Sequence, residues 1–394
     1  MMTAVEPSLV AVQLPPGPQW LRTVEQIWQR GDAVAPLPPG VPPSVLRETL
    51  AALRPAALID ATGTAPLPDA VPVAPGTGAV IVTSGSTGIP KGVVLPTSAL
   101  QASVEASVRR LAVGADDRWL LCVPVHHVAG LRVVLSSRLA GAPAILHNGF
   151  DVERVAAERE ATLVSLVPTM LRRLLDAGAD LAHLRCVLLG GSAAGPQLLD
   201  DAAAAGVPVV TAYGMSETAG GCVYDGVPLD GVRVDIADGD RIRVAGPVLF
   251  SGYRLRDDLT AQAMDGEWLR TADVGRWDAD GRLEIFGRAD DVINTGGEKV
   301  HAADIAGILE EHPLVAEAAV AGVPDAEWGE RVVAYIVRRG STAPTLAELR
   351  ELVSTRRPAY MAPREVVLVN ALPRLASGKL DRLRLTGPDI DPRW

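Results

Sequence analysis

Cysteine is scarce, with three in 394 residues, and Cys122, Cys186 and Cys222 lie far apart in no paired motif. That excludes a disulfide framework and a cysteine-based zinc site, and leaves three small apolar residues for a core. Long apolar runs are missing too: none reaches the ~18 residues of a membrane-span candidate. The start of the chain, Met1 to Pro18, has no basic segment followed by an apolar core, so no membrane span and a cytoplasmic location are the expectation. Positive charge is in deficit, 37 Lys and Arg against 47 Asp and Glu. With no sustained basic stretch, no nucleic-acid partner is expected, whereas a single nucleotide needs only local positive charge. Internal repeats and low-complexity tracts are absent.

The length favours two or more domains. The first eighty residues are rich in proline and show only short helical patterns such as 45–53, which reads as a thin N-terminal layer. From Ala79 short β-rich runs (79–83, 119–123, 144–147, 162–166, 185–189, 207–213) alternate with helical patterns (98–111, 131–139, 152–160, 169–175, 196–205). Such alternation implies crossovers and a largely parallel sheet. After Gly231 the rhythm becomes strand and turn, with Asp238-Gly239 and Asp280-Gly281 at hairpin positions. Beyond Gly287 an α+β pattern begins, with helices over 302–311 and 346–355 and strands over 332–337 and 365–369. The expected fold is α/β. A large N-terminal domain, 1–289, has mainly parallel α/β layers plus an antiparallel β subdomain, and a small α+β C-terminal domain covers 290–394.

The sharpest local feature is Thr83-Ser84-Gly85-Ser86-Thr87-Gly88-Ile89-Pro90-Lys91-Gly92, directly after a predicted strand. Glycine lets backbone N–H groups approach phosphate oxygens, hydroxyls donate further bonds, and Lys91 supplies a compact charge. It is not a Walker A loop, because the lysine follows Ile89-Pro90 and precedes Gly92. A solvated turn is the bland alternative for an isolated Gly/Ser stretch, but ten such residues together favour a phosphate grip.

This segment resembles the phosphate-binding signature of the acyl-adenylate-forming superfamily, which includes acyl-CoA synthetases, adenylation domains and luciferases. Four further segments match that family in order: Tyr213-Gly214-Met215-Ser216-Glu217-Thr218, Thr271-Ala272-Asp273-Val274-Gly275, Gly287-Arg288-Ala289-Asp290-Asp291, and Leu372-Pro373-Arg374 through Ser377-Gly378-Lys379-Leu380-Asp381-Arg382. Within the superfamily the chain is most similar to short bacterial o-succinylbenzoate:CoA ligases of menaquinone biosynthesis. The abbreviated region before the phosphate loop, the run from Thr218 to Leu229, and Val125-His126-His127-Val128-Ala129-Gly130 carry that likeness.

The resemblance implies ATP and CoA as co-substrates, Mg2+, and an acid that is first adenylated and then passed to CoA. Nucleotide contacts would come from Thr83, Ser84, Gly85, Ser86, Thr87, Gly88 and Lys91, from Gly191 and Ser192, and from Tyr213, Gly214, Met215, Ser216 and Thr218. Tyr213 would lie beside adenine, Asp273 and Arg288 would reach the ribose, and Glu217 would hold Mg2+. A hard carboxylate suits that ion. Lys379 would bridge carboxylate and α-phosphate, a charge-rich arrangement that an ammonium stabilises, so Lys379, Lys91 and Glu217 form the expected catalytic set. Taken singly, each has a structural reading: a helix-start carboxylate for Glu217, a turn aspartate for Asp273, a surface arginine for Arg288 and an exposed loop lysine for Lys379.

The acid pocket would be lined by His127, Gly190, Gly191, Ser192 and Gly220. His127 alone reads equally as a structural histidine, and Gly190-Gly191-Ser192-Ala193-Ala194 is not a hydrolase elbow. Asp290 would be the hinge, and Gly296 and Gly297 would sit on the CoA side. An o-succinylbenzoate substrate needs a partner for its second carboxylate. Arg132 is one candidate, and a solvent-facing helix residue is its other reading. Another acyl- or aryl-CoA ligase, a carrier-protein-loading adenylation enzyme and an inactive nucleotide sensor are the competing readings. A homodimer stays open.

Overall fold

The computed structural model describes residues 6–84, 90–374 and 380–386. The chain divides into two units: Met1–Gly191, Ala205–Asp235 and Arg243–Arg270 form the first, and Ser192–Ala204, Ile236–Ile242 and Thr271–Trp394 the second.

Short apolar runs build the first sheet of the first unit. Strand β1 (Leu9–Val12, LVAV) and β2 (Ala33–Pro36) are buried at every residue. Strands covered on both faces show continuous apolar runs instead of alternation. They join β3 (Ala57–Asp60), β4 (Gly63–Pro66), β5 (Thr77–Ser84), β6 (Pro90–Pro96) and the short strand Gly252–Tyr253 in a seven-stranded sheet. Its order is Gly252–Tyr253, β6, β5, β2, β1, β3, β4. Helix α1 (Pro18–Gln29) buries Trp20, Val24 and Ile27, residues on one helical face, and α2 (Pro43–Leu53) sends Leu53 into the core with Leu9, Ala35 and Val80. The expected thin N-terminal layer is therefore most of a sheet with its own helices. The strand β6, which the sequence reading left out, runs antiparallel to β5 with Thr83 opposite Lys91.

The second sheet follows the alternation predicted from Ala79 onward. Strands β7 (Trp119–Leu121), β8 (Ala144–Leu146), β9 (Leu163–Leu166), β10 (Cys186–Gly190) and β11 (Val209–Met215) pair in parallel. Then β12 (Gly220–Tyr224) and β13 (Val227–Pro228) return antiparallel, giving the order β13-β12-β11-β10-β9-β7-β8. Helices α3 (Thr97–Arg110) and α4 (Val128–Ala140) pack together, and both touch β12. All three cysteines are free and buried as expected. Burial pushes the Cys122 thiol up to about 12 and Cys186 to about 11, which keeps them unreactive.

The second unit takes up the chain at Thr271, within the strand Trp268–Trp277, which runs antiparallel to Leu283–Arg288. Asp280-Gly281 lies in the turn between them, where the Asp278 carboxylate accepts from the Asp280 and Arg282 amides. A second sheet of Val292–Thr295, Glu298–His301, Val315–Asp325, Gly329–Arg338 and Glu365–Val369 follows. The helices Ala302–Glu310 and Leu346–Ser354 cover it through Ile305, Leu309, Leu349 and Val353, packed on Val320, Val332 and Ile336. Thr345 and Glu348 close a capping box at the second helix. This is the expected small α+β pattern. Among the described residues no helix is long and apolar enough to cross a membrane.

Candidate active site

The β5–β6 hairpin carries Lys91 into a three-residue cluster in the first unit. Its Nζ donates to the Tyr253 hydroxyl (3.1 Å) and to Glu217 Oε1 (3.5 Å), and stands 4.2 Å from the centre of the Tyr253 ring. The Tyr253 hydroxyl in turn donates to Glu217 Oε1 at 2.7 Å. Burial, then the Glu217 charge, push the Tyr253 phenol well above its ordinary range, so it stays a proton donor. Tyr253 reaches this position because Gly252–Tyr253 pairs with Val94 and Val93 of β6. The next residue, Arg254, is buried and spends its guanidinium on the carbonyls of Leu53, Arg54, Val71 and Pro72, which pins the strand. Sequence reading found Lys91 and Glu217 and missed Tyr253. Its only local signal was a glycine–aromatic pair in Ser251-Gly252-Tyr253.

Glu217 sits on a short 3-10 turn, Ser216–Thr218, between β11 and β12. The fully buried Thr218 hydroxyl accepts from the Met215 amide (2.9 Å) and donates to the Gly220 carbonyl (2.7 Å), so this side chain braces the turn that presents Glu217. The two strands approach so closely that a Cβ on Gly214 would overlap the Gly220 backbone. Tyr213 lies on β11 just before this contact, and Gly190 ends the neighbouring β10 opposite Ala212. Tyr213, Gly214, Met215, Gly190 and Gly191 thus gather at the carboxyl ends of parallel strands, where open α/β sheets bind ligands.

His127 precedes the first turn of α4, its ring 4.5 Å from that of His126. Burial, with His127 beside it, depresses His126 to about 4, so it is neutral at physiological pH. Arg132, on the next turn of α4, is buried against Gly220 and Gly221, which rules out its solvent-facing reading.

In the second unit Asp273 stands directly opposite Arg288 across the antiparallel pair, so the two side chains share a sheet face. Ser192 belongs to this unit, Asp290 lies in the turn after Arg288, and Gly296 and Gly297 make the turn joining Val292–Thr295 to Glu298–His301. Gly85, Ser86, Thr87, Gly88 and Lys379 lie outside the described residues, as does the side chain of Ser84.

The described part of the first unit fits a magnesium nucleotide. The Thr83 hydroxyl is buried with no hydrogen-bond partner among the described residues, across the hairpin from Lys91. Glu217 Oε1 is taken by Tyr253 and Lys91, which leaves Oε2 for a cation. No group of three His, Cys, Asp or Glu that could hold a metal occurs among the described residues. A lone carboxylate suits Mg2+, which keeps waters and phosphate oxygens as its other ligands.

Replacing Tyr253 with phenylalanine removes the hydroxyl that links Lys91 to Glu217 and leaves the ring in place. For the adenylation that the sequence resemblance implies, the expected result is a fall of about tenfold, the worth of roughly one charged hydrogen bond, with ATP KM raised more than acid KM. Unchanged pyrophosphate release would show that the hydroxyl is incidental to the cluster.

The chain matches known proteins over both its N-terminal and its C-terminal parts. The AMP-binding enzyme family matches residues 64–267, and its C-terminal domain matches 304–379. A probable 2-succinylbenzoate–CoA ligase of Mycobacterium tuberculosis is 45% identical over 322 residues, 78% of this chain and 83% of that protein. The o-succinylbenzoate CoA synthetase of Bacillus subtilis, in complex with the acyl-adenylate intermediate OSB-AMP, superposes with a TM-score of 0.85 at 28% identity, covering 98% of this chain and 90% of that one. The same enzyme with ATP and magnesium ion gives 0.84 at 27% identity, covering 97% and 90%. With the family matches over residues 64–267 and 304–379 and the relative at 45% identity, the chain belongs to the AMP-binding enzyme family.

Proposed function

We propose that the protein is an ATP-dependent 2-succinylbenzoate–CoA ligase of menaquinone biosynthesis, working in the cytoplasm. The observation that carries this reading is the convergence of Lys91, Tyr253 and Glu217 at the β5–β6 hairpin, in a chain whose relatives carry that ligase name.

In the first half-reaction a carboxylate oxygen of the acid attacks the α-phosphorus of ATP. The bond to pyrophosphate breaks, and a mixed anhydride with AMP forms. Lys91 and Lys379 offset the negative charge that gathers as the two anions meet, and Thr83 donates to phosphate oxygen. Glu217 would hold Mg2+, which when bound would supply further charge neutralisation. Asp273 and Arg288 hold the ribose. In the second half-reaction the CoA thiolate attacks the acyl carbon and AMP leaves. No enzyme nucleophile is needed. The domain boundary falls near Asp290. The C-terminal domain, 290–394, turns about it between the two steps, withdrawing Lys379 and bringing Gly296 and Gly297 to the pantetheine.

The test is pyrophosphate release and thioester formation with Mg-ATP, CoA and o-succinylbenzoate, with benzoate and medium-chain fatty acids as competitors. Selective turnover of o-succinylbenzoate is expected. Turnover of a different acid alone would overturn the substrate and leave the ligase chemistry standing.

A further inference from the structure

Two helices of the second unit, Pro196–Ala204 and Ala302–Glu310, pack on each other with a carboxyl group at the seam. At Gly307 a Cβ would lie 3.6 Å from Pro196 Cδ, and Glu310 Oε2 stands 2.6 Å from where a Cβ on Gly195 would be. Only a glycine leaves room for the carboxyl group there. Glu310 is partly buried and accepts one hydrogen bond among the described residues, from the Ala318 amide to Oε1 (3.2 Å). Leu198 and Leu199, in the first turn of the facing helix, donate their amides to the Gly195 carbonyl instead.

The charged neighbours are engaged with one another. Glu317, on the strand that carries Ala318, pairs with Arg374 at 2.6 Å, and Glu311 pairs with Arg356. On the facing helix Asp201 accepts from Gln197 (2.8 Å), with Asp200 beside it in sequence. Burial pushes the Glu310 carboxyl up to about 7, helped by the Glu317 charge and opposed by the Ala318 amide and Arg374. Out in water its ordinary value is 4.5, so closing this contact takes up a proton. Both helices continue from segments already placed in the reaction. Pro196–Ala204 follows Gly190-Gly191-Ser192, and Ala302–Glu310 follows the Gly296-Gly297 turn through Glu298–His301. Gly195 precedes the boundary near Asp290 and Glu310 lies beyond it, so a turn about Asp290 makes this contact in one orientation and breaks it in the other.

We propose that Glu310 is a proton-operated latch: its neutral carboxyl group lets the helix Ala302–Glu310 close on Gly195, and its ionisation releases that helix for the domain turn. This rests on the rotation proposed above. An ionised Glu310 in the closed contact has one amide in place of its hydration, which is unfavourable. Because the closed contact raises the carboxyl from 4.5 to about 7, closure is strongest below that window, weakens as pH rises through it, and is constant above it. The latch touches neither acid nor nucleotide; it acts on the equilibrium between orientations.

The experiment puts spin labels on the full chain through Ala203→Cys and Glu351→Cys, two exposed positions on either side of Asp290 in the sequence. Cys122, Cys186 and Cys222 are buried and stay unlabelled. Pulsed dipolar distances are recorded from about pH 5 to about pH 8, without substrates and with Mg-ATP and CoA. Two populations are expected, their closed-to-open ratio falling at least about tenfold across that range. Glu310→Gln keeps the shape and cannot ionise, so its ratio is expected to stay closed and to change less than about twofold. Gly195→Ala crowds the carboxyl group and is expected to favour the open population at every pH. Two populations whose ratio ignores pH, or a Glu310→Gln ratio that titrates like the unmodified one, overturn the latch and leave the rotation standing. A single distance under every condition overturns the rotation and the latch together.

Discussion

Replacing Lys379 with alanine is expected to lower acid-dependent pyrophosphate release by about 100- to 1,000-fold, the usual loss when one preorganised charge is taken from a transition state. The second half-reaction should be spared. Thioester formation from chemically prepared acyl-adenylate and CoA is expected to stay within about threefold of the unmodified rate, because an interaction made in only one transition state affects only that step. The asymmetry follows from the chemistry. Adenylation brings a carboxylate against a polyphosphate, whereas thiolysis attacks an anhydride whose leaving AMP is already stabilised. Lys91 cannot substitute for Lys379, because it is held on a paired strand by Tyr253 and Glu217. Rapid-quench measurement of the two half-reactions separates the effects. Equal losses in both would sink the division of labour between the lysines.

Much of the fold was legible because the middle of the chain obeys simple rules. Strands such as LVSL (Leu163–Leu166) are short buried runs between helical patterns, and they lie in the parallel sheet where alternation put them. The N-terminal strands follow the same rule, but proline-rich flanks disguised them: Ala33–Pro36 ends on proline, and PKGVVLP is bounded by one at each end. Proline at a strand end costs no ladder bond that the sheet needs. Helix α1 was within reach, since Trp20, Val24 and Ile27 fall on one face.

The site was legible where chemistry is written locally and hidden where it depends on distant contacts. Lys91 and Glu217 stood out in dense motifs. Tyr253 meets Lys91 across 162 positions, from a strand of two residues too short to carry a pattern. Arg132 shows the same limit. Helix α4, VAGLRVVLSSRLA, has apolar residues on every face, and nothing in its spacing separates Arg132, buried, from Arg138, exposed. Only the glycines of β12 reveal which guanidinium is enclosed.

Glu217 and Lys91 form the other pair from which a large effect is expected. Changing Glu217 to glutamine should reduce adenylation by about 100-fold and raise the Mg2+ concentration for half-maximal rate by at least about tenfold, because the hard anionic ligand becomes a neutral amide. Lys91→Met should bring a comparable loss, expressed mainly as weaker use of ATP. The two changes should not multiply. Both side chains are largely shielded, Lys91 25% and Glu217 12% exposed, so each single change leaves one charge without its partner, a penalty that the double variant escapes. The double variant is therefore expected to be worse than either single by less than about tenfold, well short of the roughly 10,000-fold product of independent effects. Mg2+ titration of pyrophosphate release in the four proteins measures this coupling. Losses that multiply fully would mean that the 3.5 Å contact between Lys91 and Glu217 is incidental, with each residue meeting the nucleotide on its own.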